Sequence, residues 1–321
     1  MEISLSKLGS LSRRNILVCA AAAGISAPAL ATPTPTGRES NGKRAGIDRS
    51  AEKIIHRSDG QDYRIQIGLP HKIEEDLPLM IRGRKPVPIY VLDGGDNFAT
   101  VVGLTRMMQY GGSVPPCLII GISYLDAEAA EKGERRSYDL TPSKSGGLNA
   151  KTRYGGSELF RTFLENEVMP LVESSYEIDK SQSTLAGHSF GGLFALETAL
   201  RRPELFPNIL SLSPSLWFDK NRVILELQRA IASDARFPRV VALAGDREQD
   251  ITGANFNMTR NVELLAEYAA AAGRENIFAR VLEDTTHHSI QGQGFTYGLR
   301  KLLDPIPPSE GAGCVIPYSK A

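Results

Sequence analysis

The fold is decided by the stretch Leu185-Ala186-Gly187-His188-Ser189-Phe190-Gly191-Gly192-Leu193. It begins in a short apolar run that predicts a strand, and it leads into an amphipathic segment that predicts a helix ending before Pro203. The Gly-x-Ser-x-Gly pattern is typical of a sharp strand-to-helix turn, where glycines on either side of the serine prevent clashes. Such a turn lifts the serine hydroxyl above the sheet edge, at the positive end of a helix. We therefore predict that Ser189 is a nucleophile.

Further strands and helices are predicted on both sides of this turn. Almost continuous apolar runs at 87–92 and 117–122 are typical of parallel strands covered on both faces, whereas the alternation at 64–69 indicates a half-exposed antiparallel strand near the edge. The remaining strands are predicted at 183–186, 209–212, 240–244 and 277–282.

Apolar residues at three- and four-residue intervals predict the helices. One apolar stripe runs from Leu159 to Leu171, and Pro170 should kink or interrupt the end of this helix. A second stripe runs from Val262 to Ala269, and Gly273 should end that helix. Alternating strands and helices predict an α/β fold, with an open, mostly parallel, doubly covered sheet in a single domain at 51–303.

The N-terminus has the pattern of an export signal. Twin arginines, Arg13 and Arg14, precede a weakly apolar run at 18–31 that is too short and alanine-rich for a stable membrane span. We expect a twin-arginine signal peptide at 1–31, export by the twin-arginine machinery, and a periplasmic location. Residues 32–50 are expected to form a flexible leader, and 304–321 a C-terminal tail.

Composition excludes some classes of function. The 321 residues carry 37 basic and 37 acidic side chains, so nothing favours a nucleic-acid partner. No metal-ligand spacing appears among the histidines and the three cysteines. A disulfide between Cys117 and Cys314 suits an oxidising compartment, but their distance cannot be predicted from sequence.

A base and an orienting acid should follow the serine in the chain. His287 and His288 come directly after the strand at 277–282, and His287 is our choice of base with His288 as the alternative. For the acid we favour Glu248 and then Asp246, in the segment after 240–244; a Ser–His dyad without an acid stays open.

Two backbone N–H groups should bind the negative oxygen that forms during acyl transfer. One belongs to Phe190, the residue after the nucleophile. For the other we choose Gly95, in the Asp93-Gly94-Gly95-Asp96 loop after the strand at 87–92, where glycines let the backbone approach a substrate carbonyl.

Five segments together resemble the esterase D-like family: Tyr90-Val91-Leu92-Asp93-Gly94, Tyr138-Asp139-Leu140-Thr141-Pro142, Gly187-His188-Ser189-Phe190-Gly191-Gly192, Ser213-Pro214-Ser215-Leu216-Trp217 and Thr286-His287-His288-Ser289. Within that family the chain is most similar to the periplasmic siderophore esterases. The resemblance implies an α/β-hydrolase fold without a large lid, serine hydrolysis of an ester, and no cofactor. It places Gly95 at the oxyanion-loop position and His287 at the catalytic position.

The resulting hypothesis is hydrolysis of a small-molecule carboxylic ester, such as a siderophore or similar lactone, through an acyl-enzyme on Ser189. Trp217 and Arg153 are candidate substrate contacts, for an aromatic and an anionic group respectively. The alternatives are an acyltransferase or a peptidase of the same fold, and a non-catalytic periplasmic binding protein.

Overall fold

The computed structural model describes residues 46–57, 60–71, 83–125, 129–144, 146–147, 149–233, 236–252 and 256–303. In these ranges the strands are β1 Ser50–His56, β2 Asp62–Gly68, β3 Val87–Leu92, β4 Cys117–Tyr124, β5 Thr184–His188, β6 Asn208–Leu212, β7 Arg239–Gly245 and β8 Ile277–Leu282. The α-helices are α1 Gly94–Tyr110, α2 Ala129–Asp139, α3 Ser157–Phe163, α4 Met169–Ser175, α5 Phe190–Arg201, α6 Phe218–Ala232, α7 Gln249–Thr252, α8 Met258–Ala271 and α9 Ile290–Leu303.

The strands form one sheet in the order β1-β2-β4-β3-β5-β6-β7-β8. β2 pairs antiparallel with both β1 and β4, while all pairs from β4 to β8 are parallel. Because the carboxyl ends of parallel strands meet at one edge, the segments that follow β3, β5, β6, β7 and β8 are brought together there.

Helices cover both faces of the sheet. In β3, Tyr90 and Leu92 face one apolar core, while Ile89 and Val91 face the other. The first core also contains side chains of α3, α5, α6 and α8, and the second those of α1 and α9. This double burial explains why the central strands are almost continuously apolar. The predicted α/β fold with a mostly parallel, doubly covered sheet is confirmed.

All seven predicted strands are present, each within two residues of the predicted ends. The antiparallel strand β2 lies next to the edge, as its alternation indicated. β1 and the helices α1, α2, α6, α7 and α9 were not predicted from the sequence. β1 is mostly exposed and the residues of α2 are mostly charged or small, so neither of these two segments carries the apolar periodicity that reveals a buried element.

The segment before β5 differs from prediction in two ways. It continues past Pro170 because a π-helical turn at Leu164–Val168 joins α3 to α4, so the chain is not broken there. Leu159 does not belong to the buried stripe, since 53% of its surface is exposed. The wider π turn changes the direction in which the side chains after it point, relative to those of α3. A prediction that assumes 3.6 residues per turn throughout the helix does not include this change.

Several expectations fall outside the described residues. They are the signal peptide at 1–31, nearly all of the leader at 32–50, the tail at 304–321, and Cys314. Cys117 lies at the start of β4, where burial raises the pKa of its thiol. Among the helices of the described ranges, none has the length and apolar character that crossing a bilayer requires.

Candidate active site

Ser189 lies on the predicted turn between β5 and α5. Its backbone is strained, with φ 59° and ψ −117°, values that a residue with a side chain adopts rarely. Glycine is required at 187, because a Cβ there would lie 2.4 Å from the carbonyl carbon of Gly191. A hydrogen bond of 2.9 Å from the Ser189 N–H to the Leu212 carbonyl joins the turn to the neighbouring strand β6. The hydroxyl of Ser189 lies 3.3 Å from that of Ser215.

His287 and Glu248 meet at the same edge of the sheet. The imidazole Nδ1 of His287 lies 2.7 Å from a carboxylate oxygen of Glu248, and both side chains are buried. The other oxygen of Glu248 accepts hydrogen bonds from the Gly245 N–H and from the hydroxyl of Ser213. Burial opposes the charged form of Glu248, but the hydrogen bonds from His287, Ser213 and Gly245 outweigh it, so the pKa of this carboxyl lies below its ordinary value.

The other candidate acids and the second histidine lie elsewhere. Asp246 is exposed and accepts the Thr285 N–H at 3.0 Å, which fixes the loop before His287. Asp250, a third carboxylate in the segment after β7, forms an exposed ion pair with Arg247. His288 is exposed, with its ring 5.2 Å from that of His287. The structure therefore brings His287 and Glu248 together, while Asp246 acts on the backbone of their loop.

His188 is a site residue that the sequence reasoning missed. It is 5% exposed, and its Nε2 lies 2.6 Å from the backbone carbonyl of His287. Because a carbonyl only accepts, Nε2 carries the proton, and Nδ1 accepts from the side-chain amide of Gln291 at 3.2 Å. Burial, followed by the proximity of His287, lowers the pKa of His188 to about 3. The residue before the nucleophile is thus a neutral donor that holds the His287 loop.

Arg136 in α2 was missed as well. Its guanidinium binds both carboxylate oxygens of Asp93, at 2.7 and 2.8 Å, and also donates to the backbone carbonyl of His188 at 3.2 Å. Burial disfavours the charge, but the Asp93 carboxylate outweighs it and raises the pKa of Arg136. Arg136 comes two residues before the Tyr138–Pro142 segment, and nothing in its spacing indicates a contact with the nucleophile turn.

The predicted oxyanion donors lie at the starts of two helices. Phe190 begins α5. Gly95 was predicted in a loop, but it lies exposed in the first turn of α1, because the helix begins at Gly94 directly after β3. Asp93, at the N-cap of α1, has left-handed backbone with φ 53°, and its carbonyl accepts the N–H groups of Asp96 and Asn97. Both helix N-termini carry positive partial charge, which favours a developing negative oxygen.

The two candidate substrate contacts pack against different aromatic side chains. Trp217 is half-buried in an aromatic cluster, with ring centroids 5.9 Å from Phe190 and 4.6 Å from Phe256. Arg153 is exposed, and its guanidinium lies 3.9 Å from the centre of the Tyr138 ring. Their roles toward substrate stay predictions.

The arrangement suits nucleophilic catalysis. A strained, half-buried serine lies at a helix N-terminus, and a histidine held by a buried carboxylate follows later in the chain. A charged arginine lies against the peptide that joins His188 to the serine. Acyl transfer by serine hydrolases uses groups of these kinds as nucleophile, base and acid.

Comparisons with known proteins place this site in context. The family model described as "Putative esterase" matches residues 57–294. The siderophore enterobactin esterase of Emericella nidulans is 30% identical over 220 residues, covering 64% of this chain and 71% of that protein. The ferri-bacillibactin esterase BesA of Bacillus subtilis is 28% identical over 239 residues, covering 70% of this chain and 81% of that protein.

A solved structure agrees with these sequence matches. The siderophore hydrolase EstA from Aspergillus nidulans superposes with a TM-score of 0.69 at 25% identity. The match covers 83% of this chain and 98% of that one. The two chains therefore share the α/β-hydrolase fold over nearly the whole of the known structure.

Proposed function

Since the chain belongs to the Putative esterase family and is a carboxylic ester hydrolase, we propose that it works through an acyl-enzyme on Ser189. The Ser189 oxygen attacks the ester carbonyl carbon while His287 accepts the hydroxyl proton, and Glu248 stabilises the resulting imidazolium. When the tetrahedral intermediate collapses, His287 gives that proton to the departing alcohol. A water molecule then attacks the acyl carbon with His287 again as base, which releases the acid and restores Ser189.

Two backbone N–H groups are proposed to stabilise the negative oxygen of each intermediate, and Arg136 is proposed to hold the turn that carries one of them. The N–H groups of Phe190 and Gly95 donate hydrogen bonds, as the helix starts at these residues suggest. The guanidinium of Arg136 donates to the His188 carbonyl at 3.2 Å and so holds this turn, while the Asp93 carboxylate balances most of its charge. Since Asp93 binds it on two atoms, the guanidinium keeps its position as charge develops.

One observation carries this proposal: the 2.7 Å contact between His287 and Glu248, at the sheet edge where Ser189 sits on its strained turn. A structural role alone requires neither a buried His–carboxylate pair nor a strained serine. The test is hydrolysis of 4-nitrophenyl acetate by the wild type and by Ser189→Ala. We expect turnover to vanish in the variant while its unfolding temperature stays unchanged; turnover at the wild-type rate in the variant would refute the mechanism.

We propose a siderophore ester as the substrate, as the names of the relatives suggest. The test compares a tricatecholate trilactone, in metal-free and ferric forms, with simple alkyl esters. Mass spectrometry should detect ring opening by the wild type and not by Ser189→Ala. A lack of ring opening by an enzyme that hydrolyses 4-nitrophenyl acetate would refute the siderophore assignment and leave the esterase mechanism standing.

Export through the twin-arginine machinery to the periplasm is part of the same proposal, supported by Arg13-Arg14 and the weakly apolar run after them. Substitution of both arginines by lysine keeps the charge and should retain the chain in the cytoplasm of a bacterium with this machinery. Fractionation measures the distribution, and equal periplasmic amounts of both proteins would contradict the proposal.

A further inference from the structure

A cavity of about 540 Å³ opens between α2 and the segment that follows it. Three basic side chains line it, Lys144, Lys151 and Arg153, together with the carboxylate of Glu134. This volume lies within the range of small-molecule binding sites. We call this space the cationic cavity.

The charge of the cationic cavity stands out in a chain whose net charge is zero. Within the ranges that the structure describes, Lys144, Lys151 and Arg153 form no ion pair with a carboxylate. Their charges therefore act on whatever enters the cavity. A concave surface with an excess of one charge attracts ligands of the opposite sign.

Arg153 is held in place by an aromatic face. Its guanidinium lies 3.9 Å from the centre of the Tyr138 ring, a cation–π contact that fixes its plane. A second cavity, of about 230 Å³, shares Glu134, Tyr138 and Arg153 with the first. Arg153 therefore lines both cavities, and its contact with Tyr138 orients the guanidinium in the absence of a ligand.

The cationic cavity is connected to the candidate active site through one aromatic residue. Tyr154 lines the cavity, and its ring packs edge-to-face on Phe190 with 6.5 Å between centroids. Phe190 directly follows Ser189 and is one of the proposed oxyanion donors. The wall of the cationic cavity is therefore in direct contact with the turn that carries Ser189.

We propose that Lys144, Lys151 and Arg153 form a subsite for an anionic, oxygen-rich aromatic arm of a multi-armed ester, namely a catecholate or its metal complex. Metal binding removes the catechol protons and leaves the complex negatively charged, which suits ammonium and guanidinium donors. Contacts remote from the scissile bond supply binding energy that a small ester lacks. The inference rests on the proposed function, because it assigns part of that substrate to this cavity.

Binding of gallium(III) tris-catecholate to the full chain tests the subsite by titration calorimetry. The probe contains no ester, so hydrolysis does not interfere. The test variant is Lys144→Gln/Lys151→Gln. The matched control is Lys180→Gln/Lys301→Gln, which removes the same charge at the opposite edge of the sheet, before β5 and beside the start of β7.

We expect the test variant to bind the probe about tenfold more weakly than the wild type, and the control to stay within about twofold. Unfolding temperatures confirm that all three proteins are folded. Equal affinities for the two double variants, or no binding by the wild type, would overturn the subsite. Hydrolysis of 4-nitrophenyl acetate by the wild type is measured separately, so failure of the proposed function is distinguished from failure of this inference.

Discussion

Glu248 contacts the His287 ring and His188 contacts the His287 backbone carbonyl. The charges of these two side chains determine how readily the His287 ring accepts a proton. The pKa of Glu248 lies below its ordinary value, so the carboxylate is charged at neutral pH and stabilises an imidazolium. The pKa of His188, lowered to about 3, keeps that ring neutral. His287 can therefore accept a proton without a like charge on a ring 4.5 Å away.

Glu248→Gln tests the acid directly. The amide cannot stabilise the imidazolium, and it can impose the wrong tautomer on His287, so we expect kcat to fall by about 10²- to 10⁴-fold. The control is Asp246→Asn, which alters the hydrogen bond to Thr285 but leaves the Glu248–His287 pair intact. Wild-type kcat for Glu248→Gln on 4-nitrophenyl acetate would support a Ser–His dyad instead.

His188→Gln tests the buried neutral histidine through stability. The ordinary pKa of 6.5 applies in the unfolded chain and about 3 in the folded one, so the unfolded chain binds the proton first as pH falls. The stability that neutral His188 contributes is complete above pH 6.5 and is lost between 6.5 and 3, at up to about 1.4 kcal/mol per pH unit. Glutamine does not titrate there.

The measurement is denaturant unfolding of both proteins across this pH range. Asp139, whose pKa burial raises to about 6, has the opposite effect, but it is present in both proteins and cancels in the difference. The difference in unfolding free energy, wild type minus variant, should rise with pH. A difference independent of pH would show that His188 does not titrate as we infer.

Some strands and helices can be predicted from the sequence of the segment that forms them, and others cannot. The central strands were predictable because burial on both faces requires continuous apolar runs. Ser189, Glu248 and His287 were predictable as candidates because each follows a predicted strand, and the carboxyl ends of these parallel strands meet at one sheet edge. Arg136 and His188 were not, since their contacts depend on how α2 and the His287 loop pack on the turn, and no local pattern records that packing.

Gly187→Ala tests the turn between β5 and α5. The new methyl would lie 2.4 Å from the Gly191 carbonyl, so α5 must shift, and we expect a loss of roughly 2–4 kcal/mol of unfolding free energy together with activity. Gly103→Ala is the control, because in α1 the same methyl meets nothing within 4 Å and should stabilise the helix by about 0.5–1 kcal/mol. Equal stabilities of the two variants would contradict this description of the turn.

Arg136→Lys tests the connection between α2, the loop after β3 and the nucleophile turn. Lysine keeps the charge but cannot bind both oxygens of Asp93, so we expect kcat to fall by about 10- to 100-fold. The neighbouring Arg135 donates instead to the Asp62 carbonyl, and Arg135→Lys should keep kcat within about twofold. Similar losses in both variants would indicate a general disturbance of α2.

For the molecule as a whole, the parallel sheet explains why residues far apart in the chain form one site. Ser189 follows β5, Glu248 follows β7 and His287 follows β8, and all three strands end at the same edge. α2 and the segment after it add Arg136 and, beside it, the cationic cavity. One edge of the sheet thus combines the proposed chemistry with the proposed recognition of an anionic substrate.

A fluorophosphonate probe, which reacts with activated serines, tests whether Ser189 forms the acyl-enzyme. After treatment of the full chain and digestion with trypsin, we expect a single adduct on the peptide 181–201, which contains Ser189. Neither the adduct nor hydrolysis of 4-nitrophenyl acetate should occur with Ser189→Ala. An unlabelled but folded wild type, or an adduct on another residue together with hydrolysis by the variant, would show that Ser189 is not the nucleophile.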